Sequence, residues 1–263
     1  MLIKAAINGG RTKAEHRAVP VSPHEQAAAV AKCLNAGAGA VHLHVRYTSS
    51  DENLQSEAES LYAKDVAQTL LAVLPVAPKS QIGITTGAWI LPDPAARLEA
   101  IAAWDVLPGF ASVNFSEDGA VDLARLLLSR GVDVEVGLCD ADAAGVFLEA
   151  GLVNQQPSGS LHMSTPRCIR VLLEPQEQNI ERALETVVAI EKTLNSKAIE
   201  LPRLLHGTET TVWPMMDEAI ARGYDVRVGL EDTLLMPDGR IVRDNTELIT
   251  EAVRQVRAGS TGR

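Results

Sequence analysis

The sequence has few aromatic residues and no excess of positive charge. Phe, Trp and Tyr make up 3% of the chain, whereas hydrophobic residues make up 46%. The core must therefore be built from Ala, Val, Leu and Ile, a composition that suits buried parallel strands covered by Ala-rich helices. The formal net charge of -10 argues against a nucleic acid or an anionic membrane as partner, because either requires a clustered basic surface. We therefore expect a small-molecule substrate.

Several sequence signals are also missing. The three cysteines, Cys33, Cys139 and Cys168, show no C-x-x-C spacing, which is typical of reduced thiols. No basic segment followed by an apolar run opens the chain, and no apolar stretch approaches the ~20 residues of a membrane span. We therefore expect a cytoplasmic protein. Neither a G-x-G-x-x-G nor a G-x-x-x-x-G-K-[ST] motif is present, so NAD and ATP are not expected.

Short β-branched runs alternate with helical patterns along the whole chain. One such helix is predicted over residues 57–74, and the least regular stretch is 155–166. Eight β/α units without a linker favour one closed barrel over a doubly wound sheet. We therefore predict a single (β/α)8 TIM barrel over residues 1–263, with strands at 2–8, 40–45, 81–86, 110–116, 132–139, 168–174, 202–206 and 225–231.

Two histidines, His42 and His44, end the second predicted strand. Residues i and i+2 of a strand project to the same side, so both imidazoles face the barrel interior. The carboxyl ends of the strands are where such barrels carry their active sites. A divalent metal, with zinc favoured, would satisfy both buried nitrogens at once. The alternative is a pair of hydrogen-bonded core histidines.

Two adjacent carboxylates, Glu231 and Asp232, end the eighth predicted strand at the same rim. Neighbouring carboxylates repel each other unless a cation or a shared proton relieves them. Glu231 is therefore predicted as the third metal ligand and Asp232 as a free base. The alternative is that one of the two merely caps the following turn.

Arg227 lies four residues before Glu231 and shares its strand face. A buried guanidinium demands carboxylate partners, and inward-facing Glu135 of the fifth strand is a candidate. Arg227 held by Glu135 would orient Asp232 and tune its pKa. A purely structural ion pair across the barrel is the alternative.

Further polar groups stand at the predicted rim. His206 ends strand seven and is a candidate for a ligand, a substrate donor or a capping group. The other groups suit a substrate carboxylate or carbonyl oxygen, although ordinary turn chemistry explains them equally well. The rim candidates for substrate binding are Thr85, Gly87, Asn114, His206 and, from the first loop, Asn8 and Glu15.

Five segments together resemble the β-keto acid cleavage enzymes over nearly the whole chain. The His-x-His and Arg-x-x-x-Glu-Asp motifs are specific in combination, though each alone is weak. The segments are 8–9 (NG), 19–23 (VPVSP), 37–46 (GAGAVHLHVR), 206–207 (HG) and 226–233 (VRVGLEDT).

The resemblance implies a zinc-dependent exchange in which a β-keto acid and acetyl-CoA become acetoacetate and a new acyl-CoA. It implies zinc ligation by His42, His44 and Glu231, and Asp232 as the base that takes the α-proton. It further implies that Arg227 and Glu135 position that base. Thr85 and Ser112 would match small hydroxyl residues at the substrate, and Glu15 a substrate-contacting glutamate. By family analogy the chain would form a homo-oligomer, a tetramer.

Three other functions compete with this interpretation. A hydrolase of the amidohydrolase kind also uses His-x-His, but on the first strand and with histidines ending strands five and six. A metal-dependent retro-aldolase would use the same metal and base without CoA. A non-catalytic protein with a structural metal would have no need for Asp232 and Arg227 beside the site.

Overall fold

The computed structural model describes residues 1–47, 57–155 and 166–261. Within these residues, eight parallel strands close into a barrel in chain order, and the eighth pairs with the first. The predicted (β/α)8 barrel is confirmed. None of the described helices has the length and apolar character needed to cross a bilayer. Most of the irregular stretch at 155–166, namely 156–165, lies outside the described residues.

Strands and helices alternate without exception in the described chain. The strands are β1 Ile3–Ala6, β2 Ala40–Leu43, β3 Ile82–Thr85, β4 Phe110–Asn114, β5 Asp133–Leu138, β6 Cys168–Leu173, β7 Arg203–Leu205 and β8 Asp225–Val228. The helices are α1 Pro23–Asn35, α2 Ala63–Val73, α3 Pro94–Ala102, α4 Ala120–Ser129, α5 Ala141–Ala150, α6 Ile180–Asn195, α7 Val212–Arg222 and α8 Asn245–Thr261.

Helix α1 begins directly after Ser22. Ser22 and Glu25 form a reciprocal capping box, and Pro23 occupies the first turn, where its missing N–H costs nothing. Asp93 and Asp140 cap α3 and α5 through their side chains alone, which accept from backbone N–H groups of the first turn. These caps set where each helix leaves the barrel rim.

Helix α2 is shorter than the predicted span of 57–74. The segment before it instead runs antiparallel to the chain leaving β2, with Arg46 and Glu59 paired in a β-bridge and Ser60 N donating to Val45 O at 3.0 Å. Because these backbone groups are engaged in the bridge, the helix begins only after Tyr62. This difference brings Glu59 to the site described below.

The end of β8 approaches β1 more closely than a side chain would permit. A Cβ atom at Gly229 would lie 1.8 Å from the carbonyl oxygen of Ala6. This close approach lets Glu231 N donate to Ala6 O at 3.2 Å. The missing side chain at Gly229 therefore determines where Glu231 stands at the rim.

We predict that Gly229→Ala destabilises the barrel by more than about 2 kcal/mol, because its Cβ would collide with backbone that cannot move independently. The matched control is Gly145→Ala in α5, where a Cβ would meet no atom within 4 Å. That change should stabilise the protein by about 0.5–1 kcal/mol through helix propensity. Chemical denaturation midpoints measure both effects, and an unchanged midpoint for Gly229→Ala would contradict the prediction.

Candidate metal centre

Three donor groups converge inside the barrel at the carboxyl ends of β2 and β8. The Nε2 atoms of His42 and His44 lie 3.1 Å apart. Glu231 reaches them with one oxygen 3.4 Å from His44 Nε2 and the other 3.8 Å from His42 Nε2. One ligand atom from each of the three residues lies within 4.8 Å of the others, as a metal ion requires. The predicted set of three residues is thus brought together.

The donor set fits a divalent metal because polar atoms within it lack other partners. Among the described residues, Glu231 Oε2 and His42 Nδ1 are buried without a hydrogen bond. An unpaired buried acceptor is costly, and a cation at the centre of the cluster would satisfy the Glu231 oxygen. Two imidazoles and one carboxylate are also a donor set that catalytic zinc uses, with a fourth position left for substrate.

The charges in this cluster are strongly perturbed. Burial lowers the pKa of His42 well below its usual value. Burial also opposes the charged form of His44, but the carboxylates of Glu231 and Glu59 outweigh it and raise the pKa of that residue. Against its own burial, Glu231 has a pKa far below the ordinary range because Arg227 and His44 favour the carboxylate. Metal and proton would therefore compete for His44, because only the neutral imidazole ligates a metal.

Asn8 holds the backbone of His44. Its amide nitrogen donates to His44 O at 2.9 Å and to Pro20 O at 3.1 Å, and its oxygen accepts from His44 N at 2.8 Å. The side chain is fully buried. Asn8 thus supports the backbone of the metal-binding strand, and its contact with substrate stays a prediction. Gln26 adds a second donor to His44 O at 3.2 Å.

Arg227 joins the two carboxylates that end β8. It contacts Glu231 and donates to Asp232 Oδ1 at 2.7 Å through Nη2 and at 3.1 Å through Nε. Asp232 is completely buried, and burial raises its pKa although Arg227 opposes this. His206 Nδ1 stands 4.0 Å from Asp232 Oδ1. Arg227 thus holds the Asp232 carboxylate in place.

Glu135 has other partners than the sequence suggests. Its carboxylate accepts from Lys4 Nζ at 2.6 Å and lies 3.2 Å from Arg170 Nε, and both Lys4 and Glu135 are fully buried. The predicted Glu135–Arg227 pair was wrong because Lys4 pairs in register with Arg227 and reaches Glu135 itself. The sequence reasoning missed Lys4 and Arg170, although the inward register of β1 and β6 offers a signal for both.

A cavity of about 270 Å³ opens onto the donor cluster. Of the predicted rim residues, Thr85, Ser112, Asn114 and His206 line it. His206 Nε2 lies 3.3 Å from Glu174 Oε2. The remaining lining residues are His42, His44, Trp89, Ser116, Cys139, Leu172, Glu174, Gln176, Thr208, Arg227 and Glu231.

Two further residues that were predicted to contact substrate, Glu15 and Gly87, are absent from the lining of this cavity. Glu15 accepts from the backbone and hydroxyl of Thr12 at 2.8 and 3.0 Å and is bound within its own loop. The ring of Trp89 packs against Gly87 so closely that a Cβ atom at this position would lie 2.2 Å from the ring. The contact of either residue with substrate stays a prediction.

The cavity also distinguishes between barrel chemistries. Among the described residues, the chain beyond β5 and β6 brings Cys139 and Glu174 to the cavity, rather than histidines. The third donor stands on β8 as a glutamate. This arrangement lacks the strand-five and strand-six histidines that the amidohydrolase alternative requires.

Comparison with solved structures finds the same fold in other proteins. The barrel is similar to apo ObcA, with a TM-score of 0.67 and 16% identity over 92% of this chain and 62% of that one. It is also similar to ObcA in a ternary complex with a C4-CoA adduct and oxalate, with a TM-score of 0.69, 15% identity and 64% of that chain covered. The chain thus spans less than two thirds of the length of ObcA. At this level of identity, the similarity shows a shared fold alone.

Sequence comparison is more specific. The chain is 26% identical over 275 residues to the 3-keto-5-aminohexanoate cleavage enzyme of Fusobacterium nucleatum subsp. nucleatum, covering 97% of this chain and 90% of that protein. The model of the beta-keto acid cleavage enzyme family matches residues 1–261. With the two histidines, Glu231 and Arg227 assembled at one cavity, this match shows that the chain belongs to the β-keto acid cleavage enzyme family.

Proposed function

We propose that this protein is a zinc-dependent enzyme that exchanges acyl groups between a β-keto acid and acetyl-CoA. The products would be acetoacetate and a new acyl-CoA. The observation that carries the proposal is the cluster of His42, His44 and Glu231 at the cavity, with Asp232 held beside it by Arg227. The family match and the keto acid cleavage named for the Fusobacterium relative support this reaction.

The overall reaction balances without an external oxidant or reductant. The two-carbon carboxymethyl fragment of the keto acid receives the acetyl group and leaves as acetoacetate. The remaining acyl fragment receives the CoA thiol. The CoA thiolate displaced from acetyl-CoA attacks the keto carbon and forms the new thioester. The α-proton removed at the start is returned to the α-carbon of the acetoacetate enolate that this cleavage releases, so a base must hold it in the meantime. Zinc, when bound, would polarise the keto and carboxylate oxygens of the substrate as a Lewis acid.

Asp232 is our assignment for the base. It is buried, and it is bound to Arg227, which lines the cavity. Arg227 donates to Asp232 Oδ1 through both Nε and Nη2, and the carboxylate keeps lone pairs with which to accept a proton from substrate. The raised pKa of Asp232 strengthens its basicity compared with an exposed aspartate.

The rest of the cavity wall supplies uncharged and charged groups for orientation. Thr85, Ser112 and Asn114 offer hydroxyl and amide groups to the oxygens of a β-keto acid. Glu174 and His206 form a second polar pair at the cavity wall, where the acyl portion of the substrate or the thioester would lie.

We further propose that the enzyme works in the cytoplasm as a homo-oligomer. The family analogy implies a tetramer.

We predict that the zinc-loaded protein forms acetoacetate from acetyl-CoA and at least one member of a panel of β-keto acids. Product should require both substrates and zinc. Enzymatic detection of acetoacetate measures the reaction. Cleavage of the keto acid without CoA would favour the retro-aldolase, and activity confined to amides or lactones would overturn the assignment.

We also predict that different single substitutions abolish metal binding and proton transfer. His44→Ala should lose zinc, as measured by elemental analysis after gel filtration. Asp232→Asn should retain zinc but lose roughly 10²–10⁴-fold in kcat, the usual contribution of a general base. His24→Ala, at an exposed position on α1, is the matched control and should keep both properties. An active Asp232→Asn enzyme would refute the assignment of the base.

A further inference from the structure

We propose that Glu59, together with Trp89, is a positioning residue that fixes the ring of the metal ligand His44. The inference rests on the proposed function, because it concerns the metal which that function requires. Neither residue belongs to the predicted site, and Glu59 falls in a segment whose sequence predicts helix. Its place beside His44 follows from the folded structure alone.

The chain around Glu59 is fixed against the end of β2. Glu59 forms an antiparallel bridge with Arg46, and Ser60 N donates to Val45 O at 3.0 Å. Arg46 is buried and its guanidinium donates to the carbonyl oxygen of Glu57 at 3.0 Å. Glu59 is therefore held opposite Arg46, which follows His44 by two residues. Its carboxylate is positioned by the same strand that positions the ligand.

The Glu59 carboxylate binds two groups at once. It contacts Nδ1 of His44, and Nε1 of Trp89 donates to its two oxygens at 3.1 and 3.3 Å. The Trp89 ring stacks on the His44 ring with centroids 5.9 Å apart and an interplanar angle of 25°. The Trp89 ring in turn fills the space above Gly87. One carboxylate and one indole thus restrict both the rotation and the tilt of the imidazole.

These contacts determine which nitrogen of His44 faces the metal site. With a carboxylate as acceptor, Nδ1 carries the hydrogen, and the lone pair of Nε2 is directed at His42 and Glu231. A carboxylate that accepts from the far nitrogen also increases the basicity of a metal-bound imidazole. His42 differs, since its Nδ1 has no hydrogen-bond partner among the described residues. His44 is accordingly the ligand whose orientation is set before metal binds.

The test is zinc affinity measured by competition with a chromophoric chelator. Glu59→Ala, which removes both contacts, should weaken zinc binding about 10–100-fold, the usual effect of losing such a partner. Glu59→Gln retains an acceptor oxygen without the charge and should fall between Glu59→Ala and the wild type. Trp89→Phe keeps the stacked ring but loses the N–H donor, and we expect a loss of only a few-fold.

Glu57→Gln is the matched control, because it removes a carboxylate from the same segment without touching His44, and it should bind zinc as the wild type does. Melting temperatures of the zinc-free proteins check that each variant is folded. Equal affinities of wild type, Glu59→Gln and Glu59→Ala would overturn the inference and leave the proposed function standing. A wild-type protein that binds no zinc would overturn both.

Discussion

Two imidazoles and a carboxylate are drawn together at one point inside the barrel, and this convergence is the constraint on which the rest of the site depends. His42 and His44 are both buried, and Glu231 is nearly so. Groups of this kind are costly to bury together unless a cation or protons compensate them. Arg227 is shared between Glu231 and Asp232, so one carboxylate charge remains for a cation at the histidines.

The surrounding structure serves to keep this arrangement in place. Asn8 and Gln26 bind the backbone of His44, and the missing side chain at Gly229 brings the end of β8 against β1. Deeper in the barrel, Lys4 and Glu135 pair with each other, which leaves Arg227 free for the carboxylates above. The cavity then presents the donor cluster beside uncharged hydroxyl and amide groups, as binding a small oxyanionic substrate requires.

Local periodicity accounts for the parts of this site that the sequence could predict. His42 and His44 are two residues apart on an apolar strand, and Glu231 ends the last strand, so strand geometry alone directs all three to one rim. The partner of Glu135 could not be predicted this way, because four inward-facing charged residues on different strands allow several pairings. The hydrogen bonds between Asn8 and the His44 backbone could not be predicted either, since sequence does not show which backbone groups need a partner.

The contribution of Glu59 was beyond sequence reasoning for a different reason. Its segment has a helical pattern, yet the backbone beyond β2 engages it in a bridge, and such tertiary pairing overrides local propensity.

The central claim is that His42, His44 and Glu231 hold the metal. Anomalous diffraction at the zinc edge from zinc-loaded crystals tests it most directly. We expect a peak about 2.0–2.2 Å from Nε2 of both histidines and from a Glu231 oxygen; a peak elsewhere, or none at this cluster, would contradict the account.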